Sequence, residues 1–199
     1  MKRVLRIAIA DDEPDMQEYF RRMLPRMGHS IVAVASNGRE LVEKCRTALP
    51  DLVITDIRMP ELDGIEAATQ ICKEKPVPII LVSAHHDAAS IERAEGEHIL
   101  AYLVKPIKQA DLESAIDLAL LRFAQFRALR QEAQDLRQAL DDRKVVERAK
   151  GIVMKRLRVD EEEAFRRLRK LASNHNRKVI DVARTVTASE ETFATLEQG

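Results

Sequence analysis

Five short apolar runs rich in β-branched residues set the fold of the first part of this chain: Val4 to Ala10, Ile31 to Ala35, Leu52 to Thr55, Ile79 to Val82 and Ile99 to Val104. None alternates strictly between apolar and polar residues, so the strands they form need cover on both faces, as in a parallel sheet between helices. The stretches between them, Pro14 to Met27, Gly38 to Leu49, Gly64 to Lys73 and Ala88 to Glu95, repeat apolar residues at helical spacing. Five strand-helix repeats in about 120 residues predict one doubly wound α/β domain. A chain of 199 residues leaves room for a second, smaller module.

The apolar runs stop well short of the roughly 20 residues that cross a bilayer. Met1-Lys2-Arg3 is followed by no long apolar segment and no small-residue cleavage site, so neither a membrane span nor a signal peptide is expected. Cys45 and Cys72 have neither metal-ligand spacing nor a CxxC relation, which predicts buried, reduced thiols and a cytoplasmic protein.

From Gln109 the strand signal ends and the helical one continues. Gln109 to Leu157 contains no Pro and only Gly151, so one very long helix, or two nearly continuous ones, is expected. Apolar residues recur at Ile116, Leu120, Phe123, Phe126, Leu129, Ala133, Leu136 and Leu140. The threes and fours from Leu129 to Leu140 suit a coiled coil, whereas successive threes from Leu120 break the heptad phase. A largely polar helix running past a compact domain has little of its own chain to cover that stripe, so a homodimer through a coiled coil is expected. Asp160, with Glu163 three residues on, reads as a capping box opening a further helix. Ala164, Phe165, Leu168, Leu171 and Ala172 then share one face, a phase that makes Phe165 core more often than a stacking platform. After Asn174-His175-Asn176, Val179 to Val186 reads as a short third helix of a small bundle, and a short fourth helix is expected beyond Ser189.

Chemistry in an open parallel sheet sits at the carboxyl ends of the strands. Those ends carry Asp11-Asp12-Glu13 after the first strand, Asp56 after the third, Ser83 after the fourth and Lys105-Pro106 after the fifth. Clustered carboxylates are costly unless a divalent cation neutralises them, and hard oxygen ligands at an open site suit magnesium. A carboxylate beside a metal and an ammonium can act as a nucleophile toward phosphorus, so the rim suits phosphoryl transfer. Singly, Asp56 also fits a loop cap, Lys105 a solvated charge and Tyr102 the core; in register after successive strands they describe one site. Asp63-Gly64 reads as the turn and cap of the third helix. Arg58 and His85, two residues beyond Asp56 and Ser83, are placed to control water access to a phosphate. His85-His86 lacks the further ligands a metal site needs.

These residues resemble the receiver domain of bacterial two-component response regulators. The resemblance spans about Val4 to Leu121 and rests on Asp-Asp-Glu at 11 to 13, Asp56 within Asp-Ile-Arg-Met-Pro-Glu-Leu-Asp-Gly, Ser83-Ala84, and Tyr102-Leu-Val-Lys105-Pro106. It implies a flavodoxin-like (βα)5 fold with Asp56 as phosphoacceptor. It further implies Mg2+ held by Asp12, Asp56 and the backbone carbonyl of Arg58, with Asp11 assisting through water, and Lys105 paired with the phosphoryl group. The Lys105-Pro106 bond is expected to be cis. The Ser83 hydroxyl would follow the phosphate while Tyr102 swings inward, and a sensor histidine kinase would be the donor.

Net charge is zero over the whole chain, with 33 bases and 33 acids, and this hides opposed parts. Residues 143 to 178 carry 13 bases against 5 acids, or +8; the preceding 142 residues sum to −5 and the last 21 to −3. Four of those five acids sit together at a helix start, which leaves the basic surface uncompensated and points to nucleic acid. No convincing helix-turn-helix is present. Arg143 to Leu157, Glu161 to Ala172 and Asn176 to Ala183 instead resemble the ANTAR family of RNA-binding transcription antiterminators, over roughly Leu136 to Val186. In that resemblance Ala149, Ala164, Ala172 and Ala183 permit close helix packing, and Arg148, Lys150, Lys155, Arg156, Arg177 and Lys178 are candidate phosphate contacts. It implies an RNA hairpin near a terminator as target, with the RNA polymerase elongation complex affected indirectly. The expected organisation is a receiver at 1–121, a coiled-coil helical linker at 122–142, an ANTAR three-helix bundle at 143–188 and a tail at 189–199. The expected function is a response regulator promoting antitermination, with no enzymatic activity beyond self-phosphotransfer and autodephosphorylation. A receiver with a DNA-binding output, or a relay whose basic helices bind an acidic protein, are the alternatives.

Overall fold

The computed structural model describes residues 3–84 and 99–196. The helix expected at Ala88 to Glu95, and His85 with its expected role, lie outside the described residues. The chain divides into two compact units, 1–128 and 129–199.

The first unit holds five parallel strands, β1 (Arg6–Ala10), β2 (Ser30–Ala35), β3 (Leu52–Asp56), β4 (Ile79–Ser83) and β5 (Ile99–Val104), in the order β2-β1-β3-β4-β5. Helices α1 (Pro14–Arg26), α2 (Gly38–Ala48) and α3 (Gly64–Glu74) follow β1, β2 and β3, and α4 (Gln109–Leu157) follows β5. Consecutive strand residues serve opposite faces. Ala8, Ala10, Val53, Ile79 and Leu81 pack with Leu41, Val42, Ile65 and Ile71 of α2 and α3. Ile7, Ile9, Leu52, Ile54, Ile80 and Val82 pack with Phe20 and Leu24 of α1 and with Leu112, Ala115, Ile116 and Ala119 of α4. Both faces are therefore dry, which is why β3 and β4 show no polar alternation. Each fully buried Leu or Ile contributes about 1.5–3 kcal/mol. Cys45 and Cys72 are buried and free, and burial pushes the Cys45 thiol up to about 12, so it stays protonated and inert.

Asn37 caps α2 by accepting from the Glu40 N–H at 2.8 Å, and Asp63 caps α3 by accepting from the Glu66 N–H at 2.8 Å. The turn-and-cap role read for Asp63 is thus observed.

The second unit is a three-helix bundle made of the end of α4, α5 (Glu161–Asn174) and α6 (Val179–Leu196). Its core is built on Ala149, Leu168, Ala172, Val182 and Ala183, with Val145, Val153, Val179 and Val186 packed around them. Ala149, Ala164 and Ala183 are fully buried and Ala172 nearly so, which is the close packing expected of them. Arg158 and Asn176, at φ 51° and 49°, break the chain after α4 and α5 in the left-handed region. Their turns are closed by Val159 N–H to Met154 C=O at 3.3 Å and Arg177 N–H to Ala172 C=O at 2.9 Å.

Three expectations need correction here. Asp160 does accept from the Glu163 N–H at 2.8 Å, but the Glu163 carboxylate turns to Arg166 and Arg167 and does not complete the box. Among the described residues no separate fourth helix follows Ser189: α6 runs on without a break to Leu196, because residues 187 to 196 contain neither Gly nor Pro. Phe165 is not core but 39% exposed, since Ala164, Leu168 and Ala172 supply the buried stripe and Phe165 falls just outside it.

On α4, Leu129, Leu136 and Leu140 are 67%, 60% and 60% exposed, an apolar stripe that the described residues leave largely uncovered. No described helix is long and apolar enough to cross a membrane.

Candidate functional site

Three strand ends of the first unit converge on one ammonium. Lys105, just after β5, places Nζ 3.1 Å from Asp56 Oδ1, 3.1 Å from Asp11 Oδ2 and 2.9 Å from Glu13 Oε1. Parallel register makes this possible, because Asp56 lies opposite Val82, and Ser83, the next residue, lies opposite Val104, immediately before Lys105. The Lys105 N–H donates to the Ser83 carbonyl at 2.8 Å, tying the lysine's backbone to the end of β4. The Lys105-Pro106 bond is cis.

The loops are shaped around the carboxylates. Asp11 is fully buried, and its Oδ1 accepts from the Glu13 N–H at 2.9 Å while its carbonyl accepts from Gln17 Nε2 at 2.8 Å. Asp56 is 6% exposed, and its Oδ2 accepts from the Arg58 N–H at 2.7 Å. The β3–α3 loop is then drawn back under it. The Ile57 N–H donates to the Val82 carbonyl at 3.0 Å, and the Gly64 N–H donates to the Ile57 carbonyl at 2.9 Å. A methyl group on Gly64 would overlap the Asp56 carbonyl oxygen, so only glycine lets α3 begin this close to the strand end.

Among the described residues, Asp11, Glu13 and Asp56 share the Lys105 ammonium, with Asp12 beside them, an excess of negative charge. Burial, above all, raises the carboxyl pKa values of Asp11 and Asp56, with Lys105 pulling the other way. For Lys105 burial disfavours the charged form, but Glu13, Asp11 and Asp56 outweigh it and the ammonium is held above its ordinary range. Asp11 Oδ2 is buried, and among the described residues it is paired with the Lys105 ammonium at 3.1 Å. Ligand atoms of Asp11, Asp12 and Glu13 lie within 4.8 Å of one another. Hard oxygen donors close together and a surplus of carboxylates over ammonium fit a divalent cation.

Ser83 is buried at the end of β4, one strand over from Asp56. Tyr102 lies three residues before Lys105 on β5, half-buried against the face covered by α2 and α3. Sequence reasoning passed over Glu13 as a lysine partner and Gly64 as a support for Asp56. The two-residue step from Asp11 and the glycine opening a helix next to the acidic rim were the signals.

In the second unit the six candidate phosphate contacts divide. Lys155 and Lys178 are exposed. Arg148 pairs with Glu191 at 2.8 Å and Arg156 with Glu190 at 2.7 Å, while Arg177 donates to the Asp181 carbonyl at 3.3 Å. Lys150 is only 8% exposed and clamped between Glu147 at 2.8 Å and Glu161 at 2.6 Å, which raises its pKa. Lys150 is thus the one of the six that is held in an ion-pair cluster with little of its surface open. The basic surface is therefore partly compensated, by acids from the end of α6 that lie far along the chain from the residues they meet.

Residues 7–117 match the family described as response regulator receiver domain, and residues 134–186 match the ANTAR domain. The transcriptional regulatory protein PdtaR of Mycobacterium tuberculosis is 38% identical over 181 residues, 91% of this chain and 88% of that protein. The positive alginate biosynthesis regulatory protein of Pseudomonas aeruginosa is 33% identical over 117 residues, 58% of this chain and 47% of that protein. Among solved structures, the signal receiver domain of a modulated diguanylate cyclase from Desulfovibrio desulfuricans superposes with TM-score 0.57 at 26% identity, over 61% of this chain and 98% of that one. A receiver domain protein from Clostridium thermocellum superposes with TM-score 0.55 at 30% identity, over 60% of this chain and 96% of that one. The acidic rim on a flavodoxin-like sheet and the small basic helical bundle are thus matched separately by two regulatory modules, and the chain belongs to the response regulators that join a receiver domain to an ANTAR domain.

Proposed function

We propose that this chain accepts a phosphoryl group on Asp56 and thereby controls RNA binding by its ANTAR module to promote transcription antitermination. The observation that carries the reading is the contact of Lys105 Nζ with Asp56 Oδ1 at 3.1 Å, at a strand-end carboxylate cluster in a chain whose other module is basic. A carboxylate oxygen of Asp56 would attack phosphorus on a phosphohistidine of a sensor kinase. An acyl phosphate bond forms, the P–N bond breaks, and the released imidazole takes up a proton. Lys105 neutralises charge on the phosphoryl oxygens. Asp12, Asp56 and the Arg58 carbonyl would hold Mg2+, with Asp11 acting through water, and the cation would supply electrostatic stabilisation of the transferring group. Ser83 would follow the phosphate and Tyr102 would turn inward, changing the surface next to β5.

The exposed Leu129, Leu136 and Leu140 stripe supports a homodimer through α4, which would present two basic modules to one transcript. The target is an RNA hairpin near a terminator, and the elongating polymerase responds indirectly, in the cytoplasm. A mobility shift separates this reading from its rivals. Preference for a stem-loop over duplex DNA at matched salt supports it; preference for duplex DNA assigns a DNA-binding output, and binding insensitive to salt excludes phosphate recognition.

A further inference from the structure

Phe165 is the feature of the second unit that packing leaves unexplained. The α5 stripe of Ala164, Leu168 and Ala172 already closes the bundle core, yet a phenyl ring stands beside it 39% exposed. Two cations lie over that ring: Lys150 Nζ is 5.8 Å from its centroid and the Arg169 guanidinium carbon 5.9 Å. Lys150 is fixed there by Glu147 and Glu161. These two contacts hold the ring in place, and part of the residue remains open to solvent.

The surroundings say what kind of group the open part suits. Phe165 lines a groove of about 730 Å³ together with Arg143, Val146, Lys150, Glu161 and Val179. Asp142, Glu147, Glu161 and Glu162 outnumber Arg143 and Lys150 in this groove, with Lys150 taken up by Glu147 and Glu161, and Asp142 paired with Arg184 at 2.9 Å. A phosphate gains little in such a groove. A flat, neutral, polarisable group gains most, because it can stack on the ring and exchange hydrogen bonds with the polar wall. Exposed bases on the same unit, Lys155, Lys170 and Lys178, remain for the backbone phosphates.

We infer that Phe165, flanked by Arg169, is a stacking platform for one unpaired RNA base, the element by which the module reads a loop and not merely a duplex backbone. This rests on the RNA-binding reading above and assigns it a specificity-determining residue.

The test uses the full-length protein and a stem-loop library with a fixed stem and a randomised loop. A stem-loop selected by the native protein is titrated against Phe165→Tyr and Phe165→Leu, with melting curves run on both variants. The expected result is near-native affinity for the Tyr variant and a loss of about tenfold or more for the Leu variant, which keeps apolar bulk but has no aromatic face. Placing 2-aminopurine at each loop position in turn should reveal one whose fluorescence is quenched by the native protein and not by Phe165→Leu. Unchanged affinity and unchanged quenching in a folded Phe165→Leu protein would overturn the inference while leaving RNA binding intact. Failure of the native protein to select any stem-loop, with binding to an acidic peptide instead, would overturn the RNA reading and this inference with it.

Discussion

Gly64 and Asp56 are in contact through backbone alone: the α-carbon that opens α3 sits against the carbonyl of the phosphoacceptor candidate, with no room for a methyl group between them. The close approach is fixed by the Gly64 N–H to Ile57 C=O bond at 2.9 Å, so the position of the Asp56 carboxylate depends on the start of a helix eight residues away.

Gly64→Ala should therefore destabilise the receiver by about 1–3 kcal/mol or more, because the group it meets is backbone and cannot rotate aside. Thermal unfolding of the variant reads the loss, and phosphorylation from a small-molecule phosphate donor should slow even below the melting range. An unchanged melt and unchanged phosphorylation would mean that the loop has slack the structure does not show.

The acidic rim sets a pH and cation response. Burial raises the pKa of Asp11 and Asp56, so protonation is easier in the fold than in the unfolded chain. The cost of their ionised forms is fully present above the raised values and disappears as pH falls through them. At neutral pH, Mg2+ should raise the melting temperature, and less so as the solution is made mildly acidic. Asp11→Asn should melt higher than the native protein without Mg2+ and respond less to the cation. A lower melt with a full Mg2+ response would contradict this.

Much of this arrangement was legible in the sequence. Strand ends could be placed because β3 and β4 are fully buried on both faces, and that leaves an unbroken apolar run ending in Asp56 or just before Ser83. The capping of α3 by Asp63 was legible from residue type and spacing. What was not legible depended on contacts remote in sequence. Lys150 looked like a free base until Glu147 and Glu161 were seen on either side of it, and Phe165 looked like core because helical phase resolves a stripe only to within one residue at its edge. Glu190 and Glu191 were unreadable as partners, since nothing local links them to Arg156 and Arg148.

The apolar stripe on α4 gives the third expectation. Replacing Leu129, Leu136 and Leu140 together by Lys should convert a dimer to a monomer in sedimentation equilibrium while leaving the receiver melt intact, because these side chains are exposed within the single chain. Equal masses for the native and substituted proteins would show that α4 is not the dimer seam.

The end of α6 gives the fourth. Glu191 and Glu190 occupy Arg148 and Arg156, and Phe193 lies under the Arg156 guanidinium at 5.3 Å. Exposed pairs of this kind are worth about 0–1 kcal/mol each. Glu190→Gln with Glu191→Gln should thus raise RNA affinity by roughly two- to tenfold and steepen its salt dependence, as two more arginines become available to phosphates. Equal affinity and an equal salt slope would place both arginines outside the RNA contact.

The central claim is that a phosphoryl group on Asp56 sets the affinity of the basic module for RNA. The direct measurement is the affinity of full-length protein for a selected stem-loop, with and without acetyl phosphate and Mg2+, for the native chain and Asp56→Ala, with intact mass recorded on each sample. The expected result is a mass increase of one phosphoryl group and a tighter complex for the native protein, and neither change for Asp56→Ala. Equal RNA affinity and equal mass in all four samples would contradict it.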